Sequence, residues 1–212
     1  MTRETSHRIF GTGALCAALL ISACRSARTD EPKSAEKKPE SVPATAIVPM
    51  KAEPAEKAPV TLHVGDAAPA LSYEQWIQGQ EFHAFESGKV YVVEFWATWC
   101  PPCIKSVPHI NQLQHEHPEV VFLGLAGSEH PPKEGAADTR LEGVRDFIAK
   151  QGDQMTYRVA YDADRSMSAN WMKPAGQGGI PCAFIIGRDG RIAWIGHPSQ
   201  MEGPLAEVSK AN

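Results

Sequence analysis

Two apolar runs organise the globular part of the chain, KVYVVEFWA (Lys89 to Ala97) and EVVFLGLAG (Glu119 to Gly127). Both are rich in β-branched and aromatic residues, which predicts central strands covered on both faces. Between them, CPPCIKSVPHINQLQHEHP carries Ile104, Val107, Ile110 and Leu113 at intervals of three, the spacing of a helix with one apolar face. Pro101 suits the first turn of that helix, and Pro108 is expected to kink it. Upstream, ALSYEQWIQG predicts a short strand. Downstream, the pattern predicts a helix near Thr139 to Gln151, a strand in MTYRVAYD and another helix over RSMSANWMK. A hairpin follows, Ala183 to Ile186 and Ile192 to Ile195, closed by Arg188-Asp189-Gly190, where Asp-Gly is a strong turn signal. A final helix covers Glu202 to Lys210. The core order β-α-β-α-β-α-β-β-α implies an α/β fold whose mixed central sheet is flanked by helices.

The first sixty residues have a different texture. Arg3 and Arg8 precede an apolar run from Ile9 to Ile21, about 13 residues, whereas an uncleaved membrane helix needs roughly 20. Residues 1–23 therefore read as a signal peptide. It ends in Ile21-Ser22-Ala23-Cys24, which resembles the lipobox of bacterial lipoproteins; that resemblance implies cleavage before Cys24 and a lipid on its sulfur. Residues 24–60 mix charges of both signs with alanines and recurrent prolines, from Pro32 to Pro59, and contain no aromatic residue. Such a stretch cannot bury enough apolar surface to fold. It is expected to serve as an extended tether for a globular domain at 61–212.

A formal charge of −4, with 42% apolar and 22% charged residues, suits a globular domain and argues against nucleic acid as the main partner. The candidate chemistry lies in Trp99-Cys100-Pro101-Pro102-Cys103. A sulfur at a helix N-terminus faces unsatisfied backbone N–H groups and the positive end of the helix dipole, so its thiolate is favoured. Cys100 holds that position and is the expected nucleophile. Cys103, one turn further in, is placed to resolve a mixed disulfide. Glu94 interrupts an apolar strand, where burial would raise its pKa and fit it to exchange protons with a thiol.

These features resemble the thioredoxin fold: WCPPC after a buried strand, Pro108 five residues past the second cysteine, and Gly179-Ile180-Pro181 before the closing hairpin. VGDAAPAL, VVEFWATWC, the insertion after the second core strand and GRDGRI resemble its membrane-anchored branch, the TlpA/ResA-type thiol–disulfide oxidoreductases, over about residues 62 to 210. The resemblance implies a cis-proline at Pro181, with Ile180 offering backbone groups to an extended substrate. It further implies that Trp99, Pro101 and Pro102 shape the surroundings of the sulfur, and that Glu94 is the buried acid. Ser106 stands where relatives often carry a second acid, which places more weight on Glu94. The implied partners are protein dithiols and disulfides, with a membrane electron donor for re-reduction and a periplasmic, lipid-anchored location. No cofactor beyond the Cys100–Cys103 pair and no resident metal are expected.

Two other functions fit the same residues. Thr98, two before Cys100, is shared with peroxiredoxin-like peroxidases, although their upstream proline is missing; and two thiolates suit a soft ion such as Cu(I). Cys182 is left over and reads as a buried strand residue. His115 and His117 do not share a helical face, so they make a poor metal pair, and DADRS from Asp162 lacks the glycine and final glutamate of a calcium loop.

Overall fold

The computed structural model describes residues 59–211. The signal peptide at 1–23, Cys24 and the tether up to residue 58 lie outside the described residues. Six strands, β1 (Gln75–Gln78), β2 (Val90–Trp96), β3 (Val120–Ala126), β4 (Arg158–Tyr161), β5 (Cys182–Ile186) and β6 (Ile192–Gly196), form one sheet in the order β1-β4-β3-β2-β5-β6. The pairs β2/β3 and β3/β4 are parallel, whereas β1/β4, β2/β5 and β5/β6 are antiparallel. This is the mixed sheet the apolar pattern implies. The helices α1 (Pro101–Glu116), α2 (Arg140–Gln151) and α3 (Glu202–Lys210) complete the frame.

Every residue of β2 is buried, as its unbroken run of apolar side chains requires. Alternation divides the strand between two cores. Val90, Val92 and Trp96 pack on one face with Val107, Ile110 and Leu113 of α1, while Tyr91, Val93 and Phe95 pack on the other with Trp171, Phe184 and Ile186. Each large side chain so buried contributes about 1.5–3 kcal/mol. Helix α1 runs unbroken through Pro108, whose missing N–H leaves one carbonyl of the preceding turn unbonded within the helix.

Two expected elements are present with altered geometry. The helix expected over RSMSANWMK is present from residue 166 to 172 and widens over Ser168–Met172, where the Lys173 N–H reaches back five residues to the Ser168 carbonyl. The strand expected across ALSYEQWIQG shortens to four residues at the sheet edge, where pairing with β4 is interrupted between Trp76 and Gln78. The insertion after β3 comprises a loop to Thr139, α2 and a short 3₁₀ turn at Gly152–Gln154.

Candidate active site

Strand β2 ends at Trp96, and after three intervening residues the chain turns into α1 with Cys100 as its N-cap. The extended backbone of Cys100 (φ −93°, ψ 102°) turns its side chain back over the first turn, where the sulfur accepts a hydrogen bond from the Cys103 N–H at 3.3 Å. Cys100 and Cys103 form a disulfide, and both are almost wholly buried. Pro101 and Pro102 occupy the first two helical positions and donate nothing, so the Cys100 sulfur has a single capping N–H. Pro102→Ala restores a second donor at the position after next and is expected to favour the Cys100 thiolate in the reduced protein. Titration of the thiolate absorbance near 240 nm checks this; an unchanged pKa would show that the second N–H does not reach the sulfur.

The chain returns to the dithiol at the start of β5. The Ile180–Pro181 peptide bond is cis, and the Ile180 carbonyl oxygen sits 3.8 Å from the Cys100 sulfur. Trp99 is 45% exposed, in contrast to Trp96, which is buried against Phe147. The Trp99 indole N–H donates to the Ser128 carbonyl at 2.9 Å, and its ring stacks on His130 at 4.2 Å between centroids. The neighbouring Glu129 carboxylate accepts from both the backbone N–H and the hydroxyl of Thr98. The loops after β2 and β3 are thereby lashed together at the edge where parallel strands end. A cleft of about 790 Å³ opens there, with Trp99, Cys100, Pro101, Pro102 and Ile180 among its lining residues.

Glu94 sits on β2, two residues before the strand's end at Trp96. It falls between Val92 and Trp96 on the face of β2 that α1 covers, opposite Gly124 of β3 and Ala183 of β5. It is 2% exposed, neither carboxylate oxygen has a hydrogen-bond partner among the described residues, and burial pushes its pKa up to about 8. The Glu94 charge in turn adds to the burial that raises the Tyr157 hydroxyl. Ser106, without an acid, donates its hydroxyl to the Pro102 carbonyl within α1.

Cys182 is buried on the other face of the sheet, with Phe95 and Phe184, and burial together with the Glu94 charge pushes its thiol up to about 12. At neutral pH it holds its proton. Asp162 is also buried, but its carboxylate accepts the backbone N–H groups of Ser166 and Met167, so DADRS forms a local turn. His117 faces Glu119, and His115 is exposed.

The fold thus brings Trp99, Cys100, Cys103, Pro101, Pro102, Ile180 and Pro181 around one site, and buries Glu94 in the strand that leads to it. Sequence reasoning missed Ser128, His130, Arg165 and Lys173, which also line the cleft. Ser128 and His130 could have been suspected, since they directly follow a buried parallel strand, at the edge where α/β proteins place their sites.

Residues 63–212 match the Redoxin family, and the chain belongs to it. It is a thiol–disulfide oxidoreductase of the thioredoxin superfamily, akin to the ResA-type enzymes. The chain is 29% identical over 157 residues to protein FixW of Rhizobium leguminosarum, covering 72% of this chain and 68% of that protein. It is 29% identical over 128 residues to the thiol-disulfide oxidoreductase ResA of Bacillus thuringiensis, covering 58% and 65%. Among solved structures, a thiol:disulfide interchange protein of Chlorobium tepidum superposes with a TM-score of 0.53 at 25% identity, over 68% of this chain and 95% of that one.

Proposed function

We propose that the protein reduces disulfides of other proteins on the outer side of a bacterial membrane, to which a lipid on Cys24 holds it. The observation that carries this reading is the Cys100–Cys103 disulfide at the N-terminus of α1, with an accessible cleft and the Ile180 carbonyl beside the Cys100 sulfur. In the reduced protein, the Cys100 thiolate attacks one sulfur of a substrate disulfide. A Cys100–substrate bond forms, the substrate S–S bond breaks, and the departing thiolate takes up a proton. Cys103 then gives up its proton and attacks the Cys100 sulfur, re-forming Cys100–Cys103 and releasing the second substrate thiol. Two electrons and two protons have passed to the substrate. Glu94, with its raised pKa, is the group suited to take the Cys103 proton near neutral pH.

The turnover needs no further cofactor, since the electrons come from the dithiol and a membrane dithiol donor restores them. Reduction of insulin disulfides in the presence of a small dithiol tests the reading. Consumption of peroxide without disulfide exchange would point to a peroxidase, and Cu(I) binding without exchange to a thiolate metal module.

The domain organisation belongs to the same proposal: signal peptide 1–23, lipidated Cys24 with a tether to residue 60, and a catalytic domain at 61–212. Among the described residues no helix is long and apolar enough to cross a membrane; the anchor proposed is the lipid on Cys24. Cys24→Ala is expected to abolish lipid incorporation and leave the uncleaved precursor. Metabolic labelling with a fatty acid followed by mass measurement checks it, and a lipidated mature product from the variant would remove Cys24 from the scheme.

A further inference from the structure

The walls of the cleft opposite the dithiol are charged in a way the exchange chemistry does not use. Arg165 and Lys173 both line it and both are exposed. Neither belongs to an ion pair among the described residues. Arg165 donates one N–H to the Glu129 carbonyl at 2.8 Å, which ties the guanidinium to the loop carrying the Trp99/His130 stack. It also has φ of +63°, a left-handed conformation that a residue with a Cβ adopts at a cost of about 1 kcal/mol. Such strain persists where the surroundings fix it, often at functional sites. Asp164 is the only carboxylate lining the cleft among the described residues, and one of its oxygens is engaged by the Ser166 N–H at 2.8 Å. The lining therefore offers two cations against one partly occupied anion, on a protein whose net charge is −4.

The backbone of the cleft wall is also open. Gly178 and Gly179 precede Ile180, both exposed, and a Cβ built on either would meet nothing within 4 Å. Nothing inside the molecule needs glycine there. The two residues leave bare backbone beside the Ile180 carbonyl, where an extended chain can lie close and form main-chain hydrogen bonds. The Trp99/His130 stack supplies an apolar surface on the dithiol side.

We propose that the cleft selects extended polypeptide segments that carry Asp or Glu close to the reacting cysteine, with Lys173 and Arg165 as the residues that read the acidic charge. This rests on the disulfide-exchange reading above and names the substrate class for it. Opposite charge across the encounter surface speeds association and falls away as salt screens it.

The test uses full-length protein, reduced with a small dithiol that is then removed, so that the Cys100–Cys103 dithiol supplies both electrons. Three disulfide-bonded peptides of one sequence, with Glu, Gln or Lys flanking the cysteine, are reacted with it at low ionic strength. The rate constant is expected to fall in the order Glu, Gln, Lys, by about tenfold from first to last. The spread should collapse at about 1 M salt, where the Debye length is roughly 3 Å. Lys173→Glu should shrink or invert the Glu-to-Lys ratio, and Arg165→Lys, which keeps the charge, should preserve its direction. Equal rates for the three peptides at low salt, or a ratio unmoved by Lys173→Glu, would overturn the proposal. If glutathione disulfide, a small anionic disulfide, reacted as fast as the Glu peptide, the polypeptide part would fall. Failure to reduce any of the peptides would instead overturn the exchange reading itself.

Discussion

A Cys103→Ala variant is expected to stop turning over and to accumulate a covalent complex with its substrate on Cys100. Removing Cys103 leaves the first attack intact, because Cys100 keeps its place as N-cap and the backbone N–H of residue 103 remains to support its thiolate. What is lost is the second sulfur, held by the first turn of α1 within bonding distance of the first. An intramolecular thiol in such a geometry corresponds to an effective concentration of about 10⁵ M or more, so external thiols cannot replace it at millimolar levels. Turnover of insulin should fall by about 10³-fold or more, and non-reducing gels of intact cells should show adducts that disappear on reduction. Cys100→Ala should trap nothing, since Cys100 lines the cleft and Cys103 does not. Cys182→Ala added to Cys103→Ala should leave the trap unchanged, because the Cys182 thiol holds its proton on the far side of the sheet. Adducts formed by the Cys100→Ala variant would reverse the roles of the two sulfurs.

The second large effect belongs to Glu94. Glu94→Gln keeps the volume and removes the proton exchange. Disulfide exchange near neutral pH should slow by about 10²-fold, and the dependence of the rate on an ionisation near pH 8 should vanish. Stability should move the other way. A carboxyl group held up to about 8 in the folded protein, against about 4.5 when exposed, binds its proton more tightly folded than unfolded. Its stabilising proton is fully present below about pH 4.5 and is lost as pH rises through about 8. The wild-type protein should therefore lose stability across that window, and the Gln variant should not. Above pH 8 the variant should be more stable by an amount on the order of a few kcal/mol, closing toward zero near pH 4.5. Denaturant titrations at several pH values, paired with exchange rates, check both halves. A rate unchanged across pH would make Glu94 a buried bystander.

The elements that could be read from the chain are those whose own composition decides their structure. VYVVEF and VVFLGL have no alternative to a doubly covered strand, and Asp189-Gly190 closes a hairpin by local turn chemistry. The helix over RSMSANWMK is legible as an element, but its widening over Ser168–Met172 is marked by no local residue pattern. The candidate site divides in the same manner. Cys100, Cys103 and Trp99 are neighbours in sequence, and Ile180-Pro181 is marked by its proline. Arg165, Lys173 and His130 reach the cleft only through the folding of separate loops, and no periodicity marks them.

The N–H groups of Thr61 and Leu62 both donate to the Pro174 carbonyl, at 2.8 and 3.1 Å, next to Lys173 in the cleft wall. Two residues on, Gly176 has φ of +68°, and a Cβ there would come within 2.7 Å of the Val60 side chain. The family match begins at residue 63, just after this clasp. A recombinant fragment cut at the family boundary would retain all six strands and both active cysteines while discarding the buttress of the substrate-facing wall. Expression boundaries for this enzyme therefore belong upstream of Val60, and assays on shorter pieces would report a dithiol whose surroundings have been loosened.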